Sequence, residues 1–106
     1  MAIATLGALA SIFGASASAE PKTVEVVIER FAFMPASIDV RPGDTVVFTN
    51  RDIVPHTATS LDGSWTTKDI PRGGSEALVV PANGSGAYDC RYHPAMRGRL
   101  VIAPAP

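Results

Sequence analysis

The chain has 106 residues, nine Lys or Arg against ten Asp or Glu, a formal charge of −1 and 46% hydrophobic residues. That length holds one small domain, and the interspersed charges offer no basic stripe for nucleic acid. A single cysteine, Cys90, excludes an internal disulfide.

Residues 1–19 (MAIATLGALASIFGASASA) carry no charge, are apolar from Ile3 to Phe13 and end in Ala17-Ser18-Ala19. An apolar core before a small-residue cleavage site is the pattern of a secretory signal. Cleavage is therefore expected between Ala19 and Glu20, with the protein periplasmic or secreted. No Lys or Arg precedes the apolar run, so retention as an anchor is the alternative. Stable membrane insertion is not expected, because Gly7, Gly14 and several serines interrupt a segment that would need about 20 strongly apolar residues. Removing 19 of 106 residues leaves an 87-residue domain, 20–106. A domain so small has a thin core and here lacks a disulfide, so a bound metal is an attractive source of further stability.

From Thr23 onward the pattern is of short strands between turn residues. Thr23–Ile28 is β-branched and mixes apolar with charged positions. Phe31–Pro35 follows, with Pro35 marking a bend or edge, and then Ile38-Asp39-Val40. Arg41-Pro42-Gly43-Asp44 supplies turn chemistry before Thr45–Thr49. An irregular polar stretch from Asn50 to Pro55 leads to His56. Leu61–Gly74 reads as loop, anchored by Trp65. Glu76–Val80 is a strand, Asn83-Gly84 a hairpin-type turn signal, Ala87–Cys90 rises from it, and Gly98–Ala103 is the last strand. Seven to eight short strands without helical spacing predict an all-β, antiparallel Greek-key sandwich or barrel.

The chemistry concentrates in Cys90-Arg91-Tyr92-His93-Pro94-Ala95-Met96, which sets a thiol, an imidazole and a thioether at C-x-x-H-x-x-M spacing before the last strand. His56, also beside a strand end, supplies a second imidazole. Alone, each has an ordinary reading: buried thiol, turn histidine, core methionine. The chain holds only two His and one Cys, and all three sit where one site needs them. A thiolate, two imidazoles and a weak axial thioether form the donor set of a mononuclear type 1 copper centre. Such a set tolerates both Cu(I) and Cu(II), and with every position filled by protein it leaves no place for substrate.

From Phe31 to Ala103 the chain resembles the cupredoxins, in particular the amicyanin/plastocyanin group. The resemblance runs through Phe31-x-Phe33-x-Pro35-x-x-Ile38-x-Val40-x-x-Gly43-Asp44-x-Val46-x-Phe48-x-Asn50 and continues with Pro55-His56. It then takes in Gly74-Ser75, Gly84, Tyr88-x-Cys90-x-x-His93-Pro94-x-Met96-x-Gly98. It implies that Asn50 lies just outside the ligands, tying the two ligand loops together and hydrogen-bonding near the thiolate. It also implies that the His93 ring edge reaches the surface, framed by Pro94, Ala95, Pro55 and Met34-Pro35. A redox protein donor and acceptor would dock there briefly on a monomer. Arg91, Arg97 and Arg99 are nearby, either as solvated charges or as a bias toward acidic partners. Relatives often carry an aromatic at position 86. Glycine there predicts looser packing or a bulge, with Trp65 as a substitute.

The expected function is that of a one-electron carrier and not an enzyme. The alternative is a copper-binding protein for delivery, storage or sensing, and a metal-free adhesion module is the third reading. A binuclear copper centre would need a second cysteine, and multicopper enzymes need more histidines and domains.

Overall fold

Eight strands form in the computed structural model, which describes residues 20–104; the signal-like segment 1–19 lies outside the described residues. They are β1 (Thr23–Glu29), β2 (Ala32–Met34), β3 (Ser37–Val40), β4 (Thr45–Asn50), β5 (Thr59–Ser60), β6 (Ser75–Val79), β7 (Ala87–Cys90) and β8 (His93–Ile102). One sheet has the order β2-β1-β4-β6 and the other β3-β8-β7-β5, so the molecule is a sandwich rather than a barrel. Alternation drives this arrangement. β4 buries Val46, Phe48 and Asn50 and turns the intervening residues outward, and β7 does the same with Tyr88 and Cys90. The inward faces meet in a core of Val26, Ile28, Phe33, Phe48, Tyr88 and Leu100, with Phe33 and Phe48 edge-on to Tyr88.

Pairing is mixed, not purely antiparallel as expected. β1 lies parallel to β4, and β3 parallel to β8. In each pair other strands intervene in the chain, so the partner strand arrives from a crossover and runs the same way. Asn83-Gly84 likewise does not close a hairpin, because β6 and β7 belong to different sheets. The turn carries the chain from one layer to the other. The expected 61–74 loop holds its anchor: the Trp65 indole N–H donates to Ser85 O at 3.0 Å. The final strand begins earlier than the sequence indicated, at His93, so the ligand segment is itself part of β8.

Gly86 does not mark loose packing. A Cβ there would lie 1.9 Å from the Leu100 carbonyl oxygen, and Leu100 N–H donates to Gly86 O at 2.8 Å. Glycine lets the backbone before β7 press directly on β8. Gly98 plays a related part, since a Cβ there would meet the Tyr88 ring at 2.3 Å. No helix of the described residues is long and apolar enough to cross a membrane.

Asp62 organises the turn opposite the strand ends. Its carboxylate accepts from the Ser60 hydroxyl and from the Ser64 and Ser85 N–H groups. The Ser60 and Ser64 bonds hold its pKa well below the ordinary 3.8, at about 2. A carboxyl with a depressed folded-state pKa binds fewer protons when native, so its contribution is complete above 3.8 and is lost as pH falls through about 2. The thermal midpoint of the metal-free protein should drop across that window, and Asp62→Asn should remove part of the drop.

Candidate metal centre

Three donors converge at one end of the sandwich. His56 follows β4 and is pinned by a two-way backbone bridge to Ile70, its N–H donating at 3.1 Å and its carbonyl accepting at 2.8 Å. Cys90 ends β7 on the inward face, where the register slips against β8 and pairs it with His93. That irregularity aims thiol and imidazole at the same point. His56 and Cys90 are fully buried and His93 is half-buried. His56 Nδ1 lies 3.6 Å and His93 Nδ1 3.9 Å from Cys90 Sγ, and all three donor atoms fall within 4.8 Å of one another.

These separations fit one ion. Bonds of about 2.0 Å to nitrogen and about 2.3 Å to sulfur, spread at about 120°, put nitrogen and sulfur about 3.7 Å apart. The observed pairs bracket that value, and the soft-sulfur, borderline-nitrogen set is the one that favours copper. Met96 is buried in the core cluster just along β8.

Around the donors the chain supplies orientation. Asp52 Oδ2 sits 2.8 Å from His56 Nε2 and also accepts from Phe31 N–H at 2.9 Å. Burial opposes charge on Asp52, but the Phe31, His56 and Ile53 hydrogen bonds outweigh it and hold its carboxyl below the usual range. With Nε2–H donating to the carboxylate, Nδ1 keeps its lone pair toward the sulfur. Cys90 Sγ accepts from Thr57 N–H at 3.4 Å, a bond that fixes the direction in which the sulfur points.

Asn50 occupies the last inward position of β4 and is fully buried, so its amide needs partners. Its Nδ2 donates to Val54 O at 2.9 Å and Ile70 O at 2.8 Å, and its Oδ1 accepts from Asp52 N–H at 2.8 Å. It thereby braces both sides of His56. The expected tie to the cysteine loop is made by Thr57 instead, whose Oγ1 accepts Arg91 N–H at 2.9 Å. The Arg91 side chain has no acceptor to offer an amide.

Sequence reasoning missed Asp52, Thr57 and Phe31. Asp52 carried a readable signal, an acid four residues before a ligand histidine. Phe31 did not. It follows Arg30 in a two-residue turn between β1 and β2, and both residues are left-handed, with φ of 58° and 55°. Side chains in that region cost roughly 1–2 kcal/mol each. The turn sets the Phe31 ring edge-on to both imidazoles, at 5.0 Å from His93 and 5.5 Å from His56. Beside His93, a cavity of about 260 Å³ is lined by Val54, Pro55, Asp69 and Tyr92.

A two-layer all-β shell with a buried thiol and two imidazoles poised for one ion defines a protein with a mononuclear type 1 copper site. The sequence profile of the cupredoxin-like domain matches residues 2–102, and the chain belongs to that family. It is 28% identical to amicyanin-alpha of Methylorubrum extorquens over 93% of this chain and 87% of that protein. It is similar to the crystal structure of amicyanin from Paracoccus versutus, with 26% identity, TM-score 0.65, and coverage of 84% of this chain and 87% of the other. A purple cupredoxin from Nitrosopumilus maritimus shares the fold at 21% identity and TM-score 0.65, over 76% of this chain and 99% of that one.

Proposed function

We propose that the protein is an exported one-electron carrier, not an enzyme, that exchanges electrons with redox proteins docking transiently at His93. The observation that carries this reading is the convergence of His56, Cys90 and His93 within 4.8 Å at one end of the two-sheet sandwich. Copper, when bound, supplies a Cu(I)/Cu(II) couple. The chain's part is to hold the donors so that gain or loss of an electron moves little. His56 is fixed through Asp52 and the Ile70 bridge, the cysteine through Thr57, and β7–β8 pairing sets the spacing of Cys90 and His93. Met96, buried in the core three residues after His93, would supply a fourth donor, a thioether, and Asn50 keeps the His56 loop in place.

Access is one-sided. His56 and Cys90 are sealed in, whereas His93 is half-buried among exposed Phe31, Pro55, Tyr92, Pro94 and Ala95. An apolar rim of this kind favours brief docking, with little desolvation cost and quick release. Residues 1–19 support export to the periplasm or beyond. Electron self-exchange of the copper-loaded protein separates this function from copper delivery or storage. A carrier should exchange rapidly and bleach and recover reversibly. Tight copper binding with slow self-exchange would instead identify a copper-handling protein.

A further inference from the structure

Charge is not spread evenly along the sandwich. Of nine Lys and Arg, six are exposed at or next to the copper pole: Arg30, Arg51, Lys68, Arg72 and Arg91 on its loops and turns, and Arg97 within β8, one residue beyond Met96. Each is within a few residues of a group already placed at the site. Arg30 adjoins Phe31, Arg51 lies between Asn50 and Asp52, Lys68 and Arg72 flank Ile70, and Arg91 and Arg97 follow Cys90 and Met96. Among the described residues none makes an ion pair with a carboxylate within 4 Å, the His56–Asp52 pair being the one such contact.

Four of the ten carboxylates share this pole, Glu29, Asp52, Asp69 and Asp89, leaving an excess of two positive charges. Two of the four are engaged. Asp52 is buried against His56, and both Asp69 oxygens accept from the Tyr92 hydroxyl at 2.7 Å. The rest of the molecule holds three cations and six carboxylates, an excess of three negative charges. A chain with formal charge −1 is thus polarised, with its positive end at the only half-exposed ligand.

We propose that this collar selects an acidic partner: the surface of the donor or acceptor that meets His93 is a redox protein face carrying Asp and Glu around an apolar centre. The proposal rests on the electron-carrier reading and adds the chemistry of the partner. Unpaired guanidinium groups around an apolar rim steer an anionic surface into register and repel a second copy of the same pole. They also keep the encounter sensitive to salt, because the Debye length is about 10 Å at 0.1 M ionic strength.

The test uses the copper-loaded full-length protein, reduced and then mixed with two one-electron oxidants of opposite charge. In one arm an electron passes to hexacyanoferrate(III), giving hexacyanoferrate(II). In the other it passes to tris(phenanthroline)cobalt(III), giving the cobalt(II) complex. Neither step moves a proton. Raising ionic strength from about 0.01 to about 0.3 M should slow the anionic reaction about tenfold, the low end of electrostatic steering, and leave the cationic one unchanged or faster.

Arg51→Glu with Arg72→Glu should flatten or invert the anionic salt slope while leaving the visible spectrum in place. Lys22→Glu with Arg41→Glu alters net charge equally at the opposite pole and should change that slope much less. A cytochrome c of low isoelectric point should likewise react faster at low salt than one of high isoelectric point. Two results overturn the proposal alone: faster reaction with the cation at low salt, or equal effects of the two double variants. Failure to exchange electrons with either oxidant overturns the carrier reading and the collar with it.

Discussion

Cys90→Ser will abolish the intense visible absorption of the cupric protein and lower its copper affinity by more than about 100-fold, the upper end of the loss caused by removing a residue that merely braces a ligand. The buried sulfur is the one anionic donor in the set, 3.6 and 3.9 Å from the two ring nitrogens. A serine hydroxyl stays protonated at neutral pH and is a hard donor, so it supplies neither the charge nor the polarisable orbital responsible for the colour. It still fills the position and still meets Thr57 N–H, so the metal-free fold should persist. Absorption spectra and competition with a chelator provide the measurements. A variant that remains intensely coloured would show that the thiolate is not a ligand.

Gly86→Ala will destabilise the protein by about 3 kcal/mol or more, placing it with severe overpacking. The obstacle at 1.9 Å is the Leu100 backbone carbonyl, which cannot swing aside as a side chain could. Relief requires separating the start of β7 from β8, the two strands that carry Cys90 and His93. In a domain of this size 1 kcal/mol shifts the thermal midpoint by about 4–8 °C, so a loss of roughly 12–24 °C is expected. Copper should restore part of it by binding only the folded state. A melting curve with and without cupric ion checks both statements, and an unchanged midpoint would mean that the backbone approach is not as drawn.

The strands were legible because their burial has period two, which β4 and β7 display without exception. The ligand trio was legible because the chain spends its only cysteine and both histidines there. Sheet membership was less accessible. Turn chemistry at Asn83-Gly84 reports that the chain reverses, not which layer it enters next. The parallel β1–β4 and β3–β8 pairs depend on contacts between strands separated by others, and no local signal encodes them. Position 86 was misjudged for a similar reason. A missing side chain looks like empty space in the sequence, whereas in three dimensions another strand's carbonyl occupies it. The supporting groups around the ligands were partly hidden, because Thr57 acts through its backbone N–H, which every residue but proline possesses.

The hairpin joining β1 to β2 has a further consequence. A tight two-residue reversal of this hand is most comfortable as Asn-Gly, yet here it is built from Arg30 and Phe31. Exchanging the pair for Asn-Gly would toughen the protein by relaxing its backbone, and would strip the ring that shelters both imidazoles from water. Durability and seclusion of the redox centre therefore pull against each other at two adjacent positions. Engineering for heat resistance alone would drift toward a sturdier molecule with a wetter metal.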